Sequence, residues 1–407
     1  MLTEHTIAII KSTVPVLEAH GTAITTRFYE MMFQNHPELL NVFNHANQKQ
    51  GRQQAALANT VYAAAVHIDN LAAILPAVKQ IAHKHRSLGI KPESYPIVGK
   101  HLLLAIKDVL GDAATDEIIQ AWSEAYGVIA DAFIGVEADM YKQAEEQVGG
   151  WEDFRPFVVD RKVQESDVIT SFYLVPQDGK PIAAYEAGQY VSVKVSIPGE
   201  SYTHIRQYSL SDAPGKSYYR ISVKREDSRN NLPAGKVSVY LHESVEPGDT
   251  LLLSVPAGDF TLDVQEQRPL VLISGGVGLT PMISMLNTAI EVQPNRPITF
   301  IHAALHGGVH AMKEHLADMS NQHEQLSVFY CYEQPSEQDK AVKDYHKEGY
   351  ISQEWLESII TDIDSEFYFC GPTPFMKAIN QTLLQMNVPA EHIHYEFFGP
   401  KGNLEAN

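Results

Sequence analysis

The sequence predicts an all-α domain, then a small antiparallel β-barrel, then an α/β domain on a parallel sheet. Three stretches of different texture carry that reading. Up to Gly149-Gly150, glycine and proline are sparse and apolar residues recur at helical spacing, as in Ile118, Ile119, Trp122, Tyr126, Ile129 and Phe133. Beyond it, short β-rich runs alternate with turn signals: FRPFVVDRKVQ, SFYLVP before QDGKP, GQYVSVKVSIPG, YYRISVKRE and DTLLLSVPAGDF. From about Arg268 the apolar strands PLVLIS, PITFIHAA, LSVFYCY and EFYFCG alternate with amphipathic helical stretches, PMISMLNTAI and TPFMKAINQTLLQM. That alternation is the pattern of βαβ units. The expected domains are 1–148, 151–264 and 267–407.

Composition narrows the function. With 50 acidic against 31 basic side chains the formal charge is −19, and both the first 150 residues and the remainder carry the acidic excess. A nucleic-acid binder or a surface drawn to anionic lipid is therefore disfavoured. No apolar run reaches the roughly 20 residues of a membrane span. The opening MLTEHTIAIIKSTVPVLEAH lacks the basic region and greasy core of a secretion signal. Cys331 and Cys370 are the whole cysteine complement, which excludes a disulfide framework and a cysteine-ligated zinc or iron–sulfur centre. The chain reads as a cytoplasmic, multidomain enzyme with no obligate protein partner evident.

In the helical domain, Glu137 lies close to the apolar face of Trp122, Tyr126, Ile129 and Phe133. A carboxylate there must protonate or find partners, because burying an unpaired charge is costly. Residues 53, 57, 64 and 68 share a helix face, so Gln53 points as the apolar residues do. Of eight histidines in this domain, His85 stands out by context. The stretch KHRSLGIKPESYPIVGKHLLLAI, from Lys84 to Ile106, resembles the proximal segment of globins. The resemblance implies His85 as axial ligand of a haem b iron. His83, roughly opposite on a helix, is expected at the surface. The likeness to bacterial haemoglobins implies further roles: Phe43 and Leu57 in the haem pocket, Tyr29 and Gln53 on its distal side, and a proximal chain of Tyr95, Glu137 and His85. Such a chain raises the basicity of the axial imidazole and favours O–O chemistry over simple carriage. Lys84, beside the ligand, would tune the potential.

The β-domain offers Arg206-Gln207-Tyr208-Ser209, whose cation, aromatic ring and hydroxyl suit a flavin and its phosphates. Gly188-Gln189-Tyr190 precedes it and Gly235-Lys236-Val237-Ser238 follows. In the α/β domain, the strand Leu270–Ile273 runs into Ser274-Gly275-Gly276-Val277-Gly278-Leu279-Thr280-Pro281. Glycines at a strand-to-helix turn let backbone N–H groups approach a pyrophosphate. Thr280-Pro281 stand where the last glycine of G-x-G-x-x-G would come. Cys370-Gly371-Pro372 ends another strand, and Glu396-Phe397-Phe398-Gly399-Pro400 lies near the terminus.

This order of motifs resembles the ferredoxin–NADP reductase family. The resemblance implies that Tyr190, Arg206, Gln207, Tyr208, Ser209, Phe397, Phe398, Gly399 and Pro400 bind FAD. Gly275, Gly276, Val277, Gly278, Leu279 and Thr280 would hold the nicotinamide nucleotide, and Glu396 would tune the flavin. NADH and NADPH both remain open.

Globin, FAD module and NAD module in that order are similar to the flavohaemoglobin family. Its activity is nitric oxide dioxygenation, in which two NO and two O₂ become two nitrate at the expense of one NAD(P)H. The flavin turns a two-electron donor into single electrons for the haem. A rival enzyme reading is a general NAD(P)H-dependent flavin reductase for pterin, quinone or dye acceptors, with the globin domain as an O₂ binder or sensor.

Overall fold

The computed structural model describes residues 2–228, 232–399 and 404. Two compact units form, Met1–Arg155 with Ser192–Arg206, and Pro156–Val191 with Gln207–Asn407.

The first unit is built on helices α1 (Glu4–Ser12), α2 (Val14–Asn35), α3 (His45–Lys49), α4 (Arg52–Val66), α5 (Leu75–Leu88), α6 (Ser94–Leu110) and α7 (Asp116–Glu146). Their ends follow local chemistry. The Thr115 side chain caps α7 by accepting the Ile118 N–H, and Asp116 and Glu117 place negative charge at the positive end of the helix. Helix α5 stops at Gly89, whose φ of 77° suits glycine. There the Ile90 and Gly89 N–H groups close on the carbonyls of His85 and Arg86, at 3.0 and 3.1 Å. The last turn of α5, which carries His85, is thereby held. Helix α4 ends at Val66, so Ile68 falls in the following turn rather than on the face shared by 53, 57 and 64. It is buried all the same. Asp69-Asn70 supplies the turn chemistry that ends the helix first. His83 is half-buried.

Strands β1 (Phe154–Gln164), β2 (Ile169–Pro176), β3 (Tyr190–Val195), β4 (His204–Ser209), β5 (Tyr219–Lys224) and β6 (Thr250–Ser254) form an antiparallel sheet, with α8 (Lys236–Glu243) preceding β6. Its strand order is β4-β3-β6-β1-β2-β5, and a bridge between Leu210 and Ile221 joins the two ends of that order. The sheet closes on itself, which removes its free edges.

The parallel sheet comprises β7 (Leu270–Gly275), β8 (Ile298–Ala304), β9 (Leu326–Tyr332), β10 (Lys347–Glu348), β11 (Glu366–Cys370) and β12 (Ile393–Glu396). Its connections include α9 (Leu279–Val292), α10 (Lys313–Gln322), α11 (Glu337–Val342), α12 (Gln353–Ile359) and α13 (Thr373–Gln385). The order β10-β9-β8-β7-β11-β12 puts later strands on both sides of β7. Nucleotides bind at the carboxyl ends of strands beside such a switch point. The glycine turn after β7 and Cys370-Gly371 after β11 both end there. A Cβ on Gly278 would lie 2.2 Å from the Cys370 carbonyl oxygen, so only glycine lets the two backbones meet.

Helix α9 departs from its sequence pattern. Every residue from Leu279 to Ile290 is buried, including Ser284, Asn287 and Thr288 on the side expected to face water. The polar side chains of this helix find partners inside the second unit.

Gly278→Ala should destabilise the protein by about 2 kcal/mol, because backbone on the facing strand cannot give way. Thermal unfolding of the purified protein measures it, and an unchanged midpoint would contradict the close approach.

Candidate functional site

Helix α5 brings His85 to a buried acid on α7. The His85 Nδ1 lies 2.7 Å from the Glu137 Oε1, and the Tyr95 hydroxyl donates to that same oxygen at 2.6 Å. Tyr95 sits 3.2 Å from Nδ1 as well. Glu137 is 2% exposed and Tyr95 9%. Burial and the adjoining carboxylate hold the Tyr95 phenol well above its usual range, so it stays a donor. With Nδ1–H given to Glu137, the ring is the tautomer whose Nε2 carries a lone pair. Phe133 packs 6.0 Å from the ring, and Tyr126 tightens this side by donating to the Tyr95 carbonyl at 2.7 Å. Gly99 permits that contact, since a Cβ there would meet the Tyr126 ring at 2.4 Å.

Tyr29, on α2, is 5% exposed. Its ring contacts Phe33 and Phe43, each at 5.7 Å. Burial pushes its pKa far up, while the Gln53 and Gln48 amides beside the hydroxyl pull the other way. The Gln48 Nε2 and the Gln54 Oε1 are buried without partners among the described residues. Leu57 and Phe43 are half-buried against the core that contains Tyr29, and that core shares Tyr126 and Ile129 with the cluster around Tyr95 and Phe133. Lys84 is half-buried, and its carbonyl accepts the Ser87 hydroxyl at 2.9 Å.

In the flavin-type strand, Arg206, Gln207 and Tyr208 are half-buried and Ser209 is buried. The Arg206 Nη1 donates to the Ile205 carbonyl at 2.8 Å. Tyr190 packs against Gly258, where a Cβ would come within 3.1 Å of the ring. Phe397 is half-buried against Tyr395, Phe398 is exposed, and Gly399 follows with φ of 143°. Pro400 lies outside the described residues. Glu396 pairs in register with Cys370, whose thiol is pushed up by burial and by that charge.

The nucleotide turn runs from β7 through Gly276, with φ of 54°, into α9. Gly275 and Gly371 both press on the ring of Phe375, leaving no room for side chains. The Thr280 hydroxyl donates to the Val277 carbonyl at 3.1 Å, closing the turn, while Val277 and Gly276 stay half-buried and Leu279 is buried. Behind the turn, the Ser274 hydroxyl lies 2.8 Å from the His302 Nδ1, and His302 packs 4.5 Å from the ring of His310.

Three family models match in succession: Globin over residues 26–133, an oxidoreductase FAD-binding domain over 156–262 and an oxidoreductase NAD-binding domain over 272–381. A flavohemoprotein of Bacillus thuringiensis is 61% identical over 405 residues, covering 100% of both chains. That of Bacillus subtilis is 56% identical over 404 residues, with 99% of each covered. The chain belongs to the flavohemoprotein family. Among solved structures, flavohemoglobin from Malassezia yamatoensis, with bound FAD and heme, matches with a TM-score of 0.83 at 27% identity. It covers 98% of this chain and 100% of its own. The FAD/NAD-binding domain of nitric oxide dioxygenase from Vibrio cholerae matches at 40% identity and a TM-score of 0.55, over 60% of this chain and 99% of its own.

This flavohemoprotein is thus an oxidoreductase whose cofactors are haem, FAD and a nicotinamide nucleotide. The residues present fit them. His85 keeps a third of its side chain exposed inside a helical unit, with Nδ1 occupied and Nε2 the remaining donor atom. The ring lies against Tyr95 and Phe133, members of an apolar cluster on which half-buried Ile81, Ile90 and Ile129 also pack, so the surroundings suit an apolar macrocycle. In the glycine turn a Cβ at 275 or 278 would clash, while Gly276 turns with φ of 54° beside open space, so backbone alone faces a ligand there. No helix among the described residues is long and apolar enough to cross a membrane. Sequence reasoning missed Gln48, which the short 3-10 helix Pro37–Asn41 and the turn after it bring to Tyr29; its polar run showed no periodicity that could mark it. It missed Asp212 and Arg220 too, a buried pair formed between the loop after β4 and strand β5, neither of which carries a motif.

Burial pushes the His302 pKa down to about 3 and that of His310 well down. Unfolded, each would take a proton near pH 6.5, so below that pH the unfolded state binds more protons. Stability should therefore be full above pH 6.5 and fall by about 1.4 kcal/mol per pH unit for His302 as pH drops toward 3, with His310 acting in the same direction. Urea unfolding followed between pH 7 and 5 tests this, with His302→Asn expected to flatten the slope by one proton.

Proposed function

We propose that this flavohemoprotein is a nitric oxide dioxygenase that converts two NO and two O₂ to two nitrate for each NAD(P)H oxidised. The observation that carries the reading is the buried His85–Glu137–Tyr95 network, set in the same helical unit as a buried tyrosine hydroxyl. The nitric oxide dioxygenase whose reductase half resembles this one supports it.

When bound, FAD divides the hydride's electron pair and haem iron delivers single electrons to the diatomic substrates. The chain's own part follows from its geometry. Glu137 accepts the His85 Nδ1–H, which orients the ring and makes Nε2 a stronger donor to iron. The Tyr95 hydroxyl donates to that same Glu137 oxygen and so fixes where the carboxylate meets the ring. Tyr29, kept protonated by burial, offers an O–H on the distal side, with the Gln53 and Gln48 amides beside it and the Gln48 oxygen held by the Gln54 amide at 3.0 Å. Phe43 and Leu57 restrict water there. Arg206, Tyr208 and Ser209 would hold the flavin, with Gln207 and Tyr190 alongside, and Phe397 and Gly399 would lie near it. Gly275 to Thr280 would take the pyrophosphate through backbone N–H groups at the start of α9. Lys84 and Glu396, close to these groups, would tune their potentials through charge.

Tyr29→Phe removes one donor and no volume. O₂ dissociation from the reduced protein should accelerate about tenfold, the worth of one hydrogen bond of roughly 1–1.5 kcal/mol, with flavin reduction by NADH unchanged. An unaltered O₂ off-rate would sink the distal role. Glu137→Gln keeps the shape and removes the charge. Haem reduction by NADH should slow several-fold and the reduced-haem spectrum should shift; wild-type rates and spectra would refute the proximal role. Electrons delivered to a soluble dye, by contrast, should survive His85→Ala while nitrate formation stops. If nitrate formation survives with it, the general-reductase reading holds instead.

A further inference from the structure

Helix α9 starts in the glycine turn, yet it is buried around its whole circumference, with polar Ser284 and Asn287 inside. Both are spent on one residue. Asp212 stands three residues after Ser209, the end of β4, and is 8% exposed. Its carbonyl accepts the Ser284 hydroxyl at 2.6 Å and the Tyr185 hydroxyl at 2.7 Å. Its carboxylate accepts the Asn287 amide at 2.8 Å, the Ala213 N–H at 2.9 Å and the Tyr218 hydroxyl at 2.9 Å, and Arg220 lies at 3.8 Å. The other end of the Asn287 amide faces the His315 Nε2 of α10 at 2.9 Å. Arg220 is itself buried, and its Nε donates to the Ser211 carbonyl at 3.0 Å. Burial works to raise the Asp212 pKa, but the Arg220 charge and the surrounding donors outweigh it and keep the carboxyl ionised.

Burying a charge pair of this kind adds little net stability over an apolar packing of equal volume; its best-attested use is to fix register. Here one end of the network is the chain just past the flavin motif, and the other is the helix that opens the nucleotide site. Ser284 and Asn287 lie on one face at i and i+3, so two bonds fix both the rotation and the position of α9 along its axis. We propose that Asp212 is a positioning residue that locks the flavin strand to the nucleotide helix and thereby sets the distance for hydride transfer. In that transfer a C–H bond of the reduced nicotinamide breaks, and its hydrogen leaves with both electrons. An N–H bond forms on the flavin, which is reduced as the nicotinamide is oxidised. The inference rests on the FAD-binding and NAD-binding modules and is independent of which acceptor the electrons reach afterwards.

The test is anaerobic single-turnover flavin bleaching in the full-length, cofactor-loaded protein at saturating NADH, with and without deuterium at the transferred position. Asn287→Ala should slow bleaching about tenfold, as expected for displacement of reacting groups by a fraction of an ångström. The isotope effect should rise, while flavin content stays full and the NADH dissociation constant stays within twofold. Ser284→Ala should act in the same direction more weakly, and Asp212→Asn, which keeps the shape, should retain more of the rate than Asp212→Ala. Wild-type bleaching and isotope effect in Ser284→Ala and Asn287→Ala, with only a lower melting temperature, would overturn the proposal and leave Asp212 a stabilising residue. Loss of NADH binding with an unchanged rate at saturation would overturn it equally. If Asn287→Ala fails to fold, Ser284→Ala decides: a slowed bleaching supports the lock and a wild-type rate removes it.

Discussion

The helical unit turns on a single buried carboxylate. Glu137 lies almost wholly out of water, where an uncompensated charge would destabilise the fold, and two donors meet it at one oxygen. One is the imidazole of His85 and the other the phenol of Tyr95. Each comes from a different helix, so satisfying the acid also fixes how α5, α6 and α7 approach one another. The αL glycine that ends α5 and the small residue at position 99 serve the same arrangement. The first holds the turn bearing His85, and the second lets Tyr126 reach the backbone of Tyr95. Under the proposed function, folding and haem chemistry impose the same demand on this region: the network around the buried acid would also orient the ligand and enrich its electron density.

The reductase unit repeats the principle with another acid. Asp212 is satisfied by Tyr185 and Tyr218 from barrel loops, by Arg220 of β5 and by a helix of the parallel sheet. Closing the barrel removes sheet edges, and placing β7 between strands reached in opposite directions opens a crevice at their carboxyl ends. Glycines at 275, 278 and 371 let the backbones line that crevice at contact distance. Charge on buried acids, absence of side chains at the turn and closure of the sheet are three solutions to one requirement. Each brings polar groups or backbone close together at a defined place in the fold.

Much of this was legible along the chain. The switch of period near Gly149-Gly150 and again near Arg268 marked the elements, because burial on one face writes itself into spacing. Strand-to-glycine-to-helix at Ser274–Pro281 is a local grammar, and the structure places β7, the turn and α9 there. Elements whose surroundings are tertiary were not legible. The polar residues of α9 suggest a solvent face, but that face meets Asp212, which the spacing within α9 does not encode. Ile68 continued an apolar periodicity that Asp69-Asn70 had already cut short. Gln48 sits in a short polar helix with no pattern of its own, and the course of the chain from α2 into α3 is what brings it to Tyr29.

The division between the two sources is therefore physical. By itself the sequence determined what depends on neighbours in the chain: the helices, their caps, the β-runs, the glycine turn and the acid that had to be satisfied somewhere on the last helix. Its likeness to known families added the candidate ligands and cofactors. Tertiary structure decided which groups meet. Tyr95 and His85 are separated by a helix end and a proline, Glu137 lies 52 residues beyond His85, and Asp212 is 75 residues from Asn287. Hydrogen bonds act over about 3 Å and ignore separation along the chain, so partners of that kind become visible only once the chain has closed on itself.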